Sequence, residues 1–108
     1  MNLPTEIFGD VVVVHTPDEI TSDNAEELED FLTTLERSLV IVDLDGTESF
    51  DSRGIEAILT SLDSLRSMGG ALKIATANIT NRKIFEITRI DDQVDVYGSV
   101  LEAVKSFA

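Results

Sequence analysis

The chain has 108 residues and carries 8 Lys and Arg against 21 Asp and Glu, so its formal net charge at pH 7 is −13. This length predicts one small domain spanning residues 1–108, and the excess of acids argues against direct binding of nucleic acid, whose phosphates require clustered Lys or Arg. The absence of Cys and the presence of one His argue against disulfides, thiolate chemistry and a metal site.

The chain shows no targeting or membrane signal. No apolar run approaches the roughly 18 residues that a membrane-spanning helix needs, and the N-terminus lacks the basic and apolar regions of a signal peptide. Because the chain also lacks Cys, we expect a cytoplasmic protein with no membrane insertion.

The first third of the chain predicts a hairpin followed by a helix. Strands are expected over residues 3–8 and 11–15, joined by a primed turn at Gly9-Asp10. The second strand is almost continuously apolar, which predicts burial on both faces. His15 ends it, and we interpret this residue as a strand-end residue rather than a catalytic one. A polar connection then leads to a helix over residues 24–37, with Arg37 in its last turn.

The central stretch, residues 39–55, passes from a buried strand through a polar loop to a helix. The strand is predicted over residues 39–44 and the helix over residues 52–68, with Gly69-Gly70 ending it. Ser52 would stand at the helix N-terminus, where free N–H groups and the helix dipole favour an anion. Two interpretations stay open for Ser52: an N-cap, or a site of phosphorylation.

The last third alternates strand and helix. A strand over residues 71–75 precedes a helix that is capped by Thr80 or Asn81 and extends to about Arg89. The inward residues of that helix would be Ile84, Phe85, Ile87 and Thr88. A short strand over residues 94–97 precedes a capping box from Ser99 to Glu102. It opens a C-terminal helix whose apolar face would comprise Val100, Leu101, Val104 and Phe107. The whole pattern predicts an α/β domain with a mixed, mostly parallel sheet and about four helices.

The chain lacks the sequence signs of common enzymes. Neither a dinucleotide fingerprint nor a P-loop is present, and no nucleophile has a positioned base. Asp43 and Asp45 follow a strand, as a phosphate-accepting Asp of a receiver domain does, but the acidic pair and the Lys of such a domain are missing. We therefore expect a protein that is not an enzyme and has no cofactor.

The run V-D-L-D-G-T-E-S-F-D-S-R-G-I, residues 42–55, resembles the signature of the STAS domain of bacterial anti-sigma factor antagonists. In that family the Ser of an Asp-Ser-x-Gly motif is phosphorylated by a partner kinase that is itself the anti-sigma factor. The resemblance places the acceptor at Ser52, and Ser49 is a second candidate. It also implies a partner-binding surface, which comprises Thr21, Ser49, Asp51, Ser52, Arg53, Gly54 and Asn78. Thr21 departs from the family, because many antagonists have Asp there.

Two interpretations of Gly54 stay open. Its missing side chain could let a partner's backbone approach, or Gly could be a simple accommodation in the first helical turn.

The resemblance implies a binding module switched by phosphorylation. Unphosphorylated, it would sequester an anti-sigma factor that is a serine kinase of the histidine-kinase-like ATPase type, and so release a sigma factor. A serine phosphatase would restore it after phosphorylation. The alternative is an accessory STAS subunit of a membrane transport complex, which needs no phosphorylation. A nucleotide sensor is a third hypothesis, but the sequence has no phosphate loop to support it.

Overall fold

The computed structural model describes residues 1–108 as seven strands, four α-helices and one 3₁₀ turn. The strands are β1 (Thr5–Phe8), β2 (Val11–His15), β3 (Glu19–Ile20), β4 (Leu39–Asp43), β5 (Ser49–Phe50), β6 (Ala71–Ala75) and β7 (Val96–Tyr97). The helices are α1 (Ala25–Thr33), α2 (Ser52–Ser67), α3 (Ile79–Ile87) and α4 (Val100–Lys105), and the 3₁₀ turn is Ile90–Asp92.

Five strands form a mixed sheet in the order β1-β2-β4-β6-β7. The β1–β2 pair is antiparallel and the other pairs are parallel, which confirms the predicted α/β class. The short strands β3 and β5 form a separate parallel pair that the sequence pattern did not predict. Parallel neighbours need crossover connections, so helices link the strands and cover the sheet. Because β2, β4 and β6 run in the same direction, their carboxyl ends lie at one edge of the sheet.

The sheet separates two apolar clusters. Val12 and Val14 face the larger cluster, which includes Leu28 and Leu62 from the helices α1 and α2. Val11 and Val13 belong to the smaller cluster with Ala103 of α4. Because alternate residues of a strand point to opposite faces, residues 11–14 are buried on both sides, as their unbroken apolar run predicts.

The turn and cap glycines behave as predicted. Gly9 has φ +62° while Asp10 is not in the positive-φ region, a pattern typical of a type II′ hairpin turn. Gly69 has φ +81° just after α2, where helices commonly end on a left-handed glycine. Ser99 Oγ accepts from Glu102 N, as in the predicted capping box.

Helix α1 is shorter than predicted. It ends at Thr33, and Arg37 therefore lies outside it. The hydroxyls of Thr33 and Thr34 donate to the carbonyls of Glu29 and Asp30 at 2.7 and 2.6 Å. Such back-bonding threonines compete with the helical pattern and favour its end. The strands β1 and β7 are also shorter than predicted, starting at Thr5 and Val96.

The predicted start of α3 is wrong, and its predicted inward face is right for Phe85, which is buried, and wrong for Ile87 and Thr88. Asn78 caps the helix, and Asn81 and Phe85 are its buried residues, whereas Ile87 and Thr88 are exposed. This helix has nine residues and few apolar positions. Its sequence pattern therefore does not determine which side of the helix faces the core. Leu101 of α4 likewise is 61% exposed rather than inward. No helix is both long and apolar enough to cross a bilayer.

Candidate functional site

Asp51, not Ser52, caps α2. Asp51 has extended backbone angles, and its Oδ1 accepts from Gly54 N at 2.8 Å. Its carbonyl accepts the first helical bond, from Ile55 N at 3.1 Å. Asp and Ser are equally good N-caps, and the residue in extended conformation takes the role. The interpretation of Ser52 as the cap is therefore wrong.

Ser52 is the first helical residue of α2, and its side chain is exposed. Its hydroxyl makes no hydrogen bond within the chain, because the capping acceptor is supplied by Asp51. The helix behind it has 16 residues, long enough for a developed dipole with its positive end beside Ser52. The geometry thus presents a free hydroxyl at an anion-tolerant position.

Asp51 also holds the segment that precedes α1. Its Oδ2 accepts from Ser22 N at 2.9 Å, and the adjacent Ile20 and Phe50 are paired in the β3–β5 ladder. The amide groups of Ser22 and Gly54 lower the pKa of Asp51, since both donate to the carboxylate. The segment carrying Thr21 consequently lies on the side of the domain that carries Ser52.

Thr21 is a turn residue in the structure. It is half-buried, and its carbonyl accepts from Asn24 N and Ala25 N at 3.1 and 2.9 Å. These bonds fix the turn that leads into α1. They do not test the predicted contact of Thr21 with a partner, which stays a prediction.

Gly54 is buried, and its missing side chain serves the chain's own packing. A Cβ there would lie 2.1 Å from Ile20 O and 2.7 Å from Ile20 C. The proposal that Gly54 leaves room for a partner's backbone is therefore wrong, because β3 already occupies that space. This contact lets α2 pack closely against the β3–β5 pair.

Arg53 turns toward α1. Its Nη1 donates to Glu29 Oε1 at 2.7 Å, and 35% of its side chain stays exposed. That hydrogen bond raises the pKa of Arg53 further, so the charge is permanent. Ser49, in β5, is exposed. Both residues remain available to a partner, which keeps their predicted role open.

Asn78 lies in a loop joined to the loop that precedes α2. The amide of Ala77 donates to Asp45 Oδ1 at 2.6 Å, and Asn81 Nδ2 donates to the carbonyls of Leu44 and Thr47 at 3.2 and 3.0 Å. The two loops thus share one end of the sheet, as expected. The side chain of Asn78, however, accepts from Thr80 N and Asn81 N as the α3 cap. It shares no hydrogen bond with Ser52.

A histidine–carboxylate cluster at the same edge of the sheet was missed by the sequence analysis. His15 Nδ1 lies 2.7 Å from Asp43 Oδ2, and Nε2 lies 2.6 Å from Glu6 Oε1. Although burial opposes the charged form, the hydrogen bonds to Glu6 and Asp43 raise the pKa of His15. The pairing of His15 with Asp43 follows from strand register, which the local sequence pattern does not reveal.

Fold and site together define a class: small α/β domains in which a buried strand delivers an exposed serine to the start of a helix. The family model for the STAS domain matches residues 2–103. The chain therefore belongs to the STAS domain family.

Its relatives carry consistent names. A proposed anti-sigma factor antagonist of Thermotoga neapolitana is 28% identical in an alignment 107 residues long that covers 94% of each chain. A second one, from Thermotoga maritima, is 27% identical over 107 residues with the same coverage of 94%.

Solved structures share the fold. A crystal structure of a proposed antagonist from Thermotoga maritima superposes with a TM-score of 0.85 at 24% identity, covering 96% of this chain and 92% of the other. SpoIIAA of Bacillus in its phosphorylated form gives a TM-score of 0.72 at 17% identity, covering 99% and 100%. A sulfate transporter family protein of Wolinella succinogenes gives 0.81 at 13% identity, covering 94% and 87%.

Proposed function

We propose that the protein is an anti-sigma factor antagonist whose binding to its anti-sigma factor is switched off by phosphorylation of Ser52. The observation that carries the proposal is the free, exposed hydroxyl of Ser52 at the first position of α2. The names of the two Thermotoga relatives support the antagonist role, and the existence of SpoIIAA in a phosphorylated form supports the switch.

A phosphate on Ser52 would leave the domain folded. Phosphorylation adds about −1.5 to −2 charge, and the helix dipole favours an anion at that end by about 0.3–1 kcal/mol. The cap bonds of Asp51 to Gly54 N and Ser22 N do not involve the Ser52 hydroxyl, so they can persist. Phosphorylation would therefore change the binding of the partner rather than the fold of the domain.

A partner pressed against Ser52 must desolvate or repel the new dianion. A penalty of only about 3 kcal/mol weakens binding roughly a hundredfold. The switch therefore works by local occlusion, without a conformational change in the domain.

The proposed partners follow from the same reasoning. The anti-sigma factor is a serine kinase of the histidine-kinase-like ATPase type, and a serine phosphatase removes the phosphate. The exposed or half-exposed residues around Ser52 would contact the kinase: Thr21, Ser49, Asp51, Arg53 and Asn78. In this role the protein is a binding module rather than an enzyme.

The experiment has two arms. Intact-mass analysis with site mapping, on protein purified from its own host, should find one phosphate that Ser52→Ala abolishes and Ser49→Ala retains. Ser52→Asp should then weaken binding to the cognate ATPase by about a hundredfold, while Ser49→Asp, which adds the same charge three residues earlier, has a much smaller effect.

Equal binding of Ser52→Asp and wild type would overturn the switch. Absence of phosphate under growth and stress alike would favour the constitutive transport subunit instead. The likeness to the Wolinella protein shows the fold alone and does not favour that alternative by itself.

A further inference from the structure

Strand β7 leaves one edge of the sheet open. It stands last in the order β1-β2-β4-β6-β7 and pairs only with β6. The carbonyl of Asp95 accepts from Ile74 N at 2.9 Å, and so faces β6. The carbonyl of Tyr97 accepts from Thr76 N, also at 2.9 Å. Because successive residues of a strand direct their backbone groups to opposite sides, the N–H and C=O of Val96 point away from β6 and have no strand to pair with.

A cavity of about 310 Å³ lies along this open edge. Val96 and Tyr97 both line it, although Val96 packs against the larger apolar cluster and Tyr97 against the smaller one. Those clusters lie on opposite faces of the sheet. A cavity that touches both side chains therefore lies at the outer edge of β7, beside the unpaired backbone groups of Val96. Phe85 of α3, which is buried, is the third apolar residue of its lining.

The cavity is acidic. It is lined by three carboxylates that take part in none of the ion pairs of the structure: Glu86, Asp91 and Asp95. Arg82 is the one cation of the lining. Its Nη1 lies 3.1 Å from the place that a Cβ on Gly98 would take, and Glu102 Oε2 lies 3.8 Å from the same place. The guanidinium is therefore at the Gly98 end of the edge, close to a carboxylate, and the rest of the cavity is negatively charged.

We define the β7 edge as Glu86, Asp91, Asp95, Val96 and Tyr97. We propose that the β7 edge binds an extended basic segment of a partner protein, which pairs with β7 as an additional strand. Such a segment offers Val96 both the acceptor and the donor that it lacks, as strand addition to an open sheet edge requires. Alternate side chains of a strand are roughly 7 Å apart, so Lys or Arg at every second position would bring cations to the carboxylates.

Two other occupants fit less well. A metal ion or a polyamine would meet the carboxylates but has no acceptor for the N–H of Val96. A second copy of the chain would bring another body of charge −13, and repulsion opposes the association of two such bodies. The β7 edge contains none of the residues assigned to the Ser52 switch, so the inference goes beyond the proposed function and is tested separately.

The test uses short synthetic peptides in which Val alternates with Lys or with Glu. Titration of the Lys peptide into the ¹⁵N-labelled protein should give saturable binding, with shifts concentrated in residues 85–98. The Glu peptide should bind about tenfold more weakly or less. Two further Lys peptides carry N-methyl groups on alternate amides, one in each register. One of these should lose binding, because its methyl groups lie on the side that pairs with β7.

Val96→Pro tests the backbone pairing within the protein. It removes an N–H that points away from β6, and Pro is tolerated on edge strands. Binding of the Lys peptide should weaken about tenfold. Thr5→Pro is the matched control on the opposite edge of the sheet. His15 N donates to Pro4 O at 3.0 Å, so the backbone groups of the next residue, Thr5, point away from β2. This control should bind like the wild type, and thermal melts should show that both variants fold.

Charge variants keep the proposal testable if Val96→Pro does not fold. D91N/D95N should weaken binding of the Lys peptide several-fold at low salt and less at high salt. D30N/D63N, which removes two exposed charges from α1 and α2, should have a much smaller effect. Arg82→Gln should strengthen binding, because it removes the one cation of the cavity lining.

Several outcomes overturn the proposal. They are equal binding of the Lys and Glu peptides, retained binding of both N-methylated peptides, equal losses in D91N/D95N and D30N/D63N, or no binding at about 1 mM peptide. Spermine that binds as tightly as the Lys peptide, with the same shifts, would assign the cavity to a small cation. A dimer in sedimentation that Val96→Pro dissociates would assign the edge to a second copy.

Discussion

The carboxylate of Asp51 joins two segments that are 29 residues apart in sequence. It accepts from Ser22 N and from Gly54 N, and so fixes the segment before α1 against the start of α2. The neighbouring Ser52 is thereby relieved of capping and stays free at the surface. One acidic residue thus supports both the local fold and the accessibility of the candidate acceptor.

Neutralising Asp51 should make the free energy of unfolding depend less on pH in the acidic range. The pKa of Asp51 is lowered in the folded state, so its carboxylate contributes stability above its unfolded value of about 3.9, and this is lost as pH falls through the folded pKa. Asp51→Asn should be less stable than wild type at pH 7, with the difference disappearing below the folded pKa. Urea unfolding across pH 2–7 measures it.

The control for this change is Asp63→Asn, which removes the same charge from the exposed face of α2. Equal stability of Asp51→Asn and wild type at pH 7 would contradict the role assigned to the cap.

Adding one methyl group at Gly54 should be costly. The Cβ of Gly54→Ala would lie 2.1 Å from the backbone oxygen of Ile20, which cannot move without disturbing β3. We expect a loss of about 1–3 kcal/mol, despite the better helix propensity of Ala. Gly46→Ala is the matched control, since its Cβ would meet nothing closer than 3.9 Å. Comparable losses in the two variants, measured by chemical denaturation, would rule out this steric explanation.

At the level of strands, pairing brings together side chains whose contacts the sequences of the separate strands do not reveal. His15 connects Glu6 of β1 with Asp43 of β4 across the sheet edge. This histidine is the only one in the chain, so its titration can be followed by NMR without assignment.

The stability provided by His15 should decline as pH rises. Because its folded pKa is raised, its contribution is complete below the unfolded value of about 6.5 and is lost as pH rises through the folded pKa. The NMR titration should show a midpoint above 6.5. Glu6→Gln should lower that midpoint, whereas Asp63→Asn, on the solvent face of α2, should not.

A midpoint at or below 6.5 in the wild type would show that burial outweighs the two carboxylates. At a midpoint of 6.5 the pH dependence of unfolding of His15→Gln should equal that of wild type, whereas a midpoint below 6.5 would make the contribution of His15 grow as pH rises.

At the scale of the whole molecule, the net charge of −13 opposes compactness. Salt screens this repulsion, so the melting temperature should rise between about 10 and 150 mM NaCl, where the screening length falls from about 30 to 8 Å. A gain of about 1 kcal/mol would raise Tm by roughly 4–8 °C in a domain of this size. Calorimetry of the wild type at several NaCl concentrations measures this change in melting temperature.

Neutralising exposed acids should reduce that salt dependence. A variant with Glu26→Gln, Asp30→Asn and Asp63→Asn removes three charges from exposed helix positions. If it responds to salt as strongly as the wild type, the effect is not electrostatic self-repulsion.

Local sequence signals were enough to predict the order of the longer strands and the helices, the class of the fold and the stretch that carries the candidate site. Long apolar runs such as residues 11–14 and clear caps such as Ser99 are local signals, and local signals can be interpreted without a partner segment. The motif of residues 42–55 likewise located Ser52 at the helix start.

The assembly of the candidate site depends on contacts between elements, which the sequence pattern does not show. The contacts of Asp51 with Ser22, of Gly54 with Ile20 and of Arg53 with Glu29 each join residues that are distant in sequence. The burial of Asn81 and the exposure of Ile87 depend on which side of α3 meets the sheet. Such contacts arise from packing and strand register, which act between elements, and the periodicity within one element does not encode them.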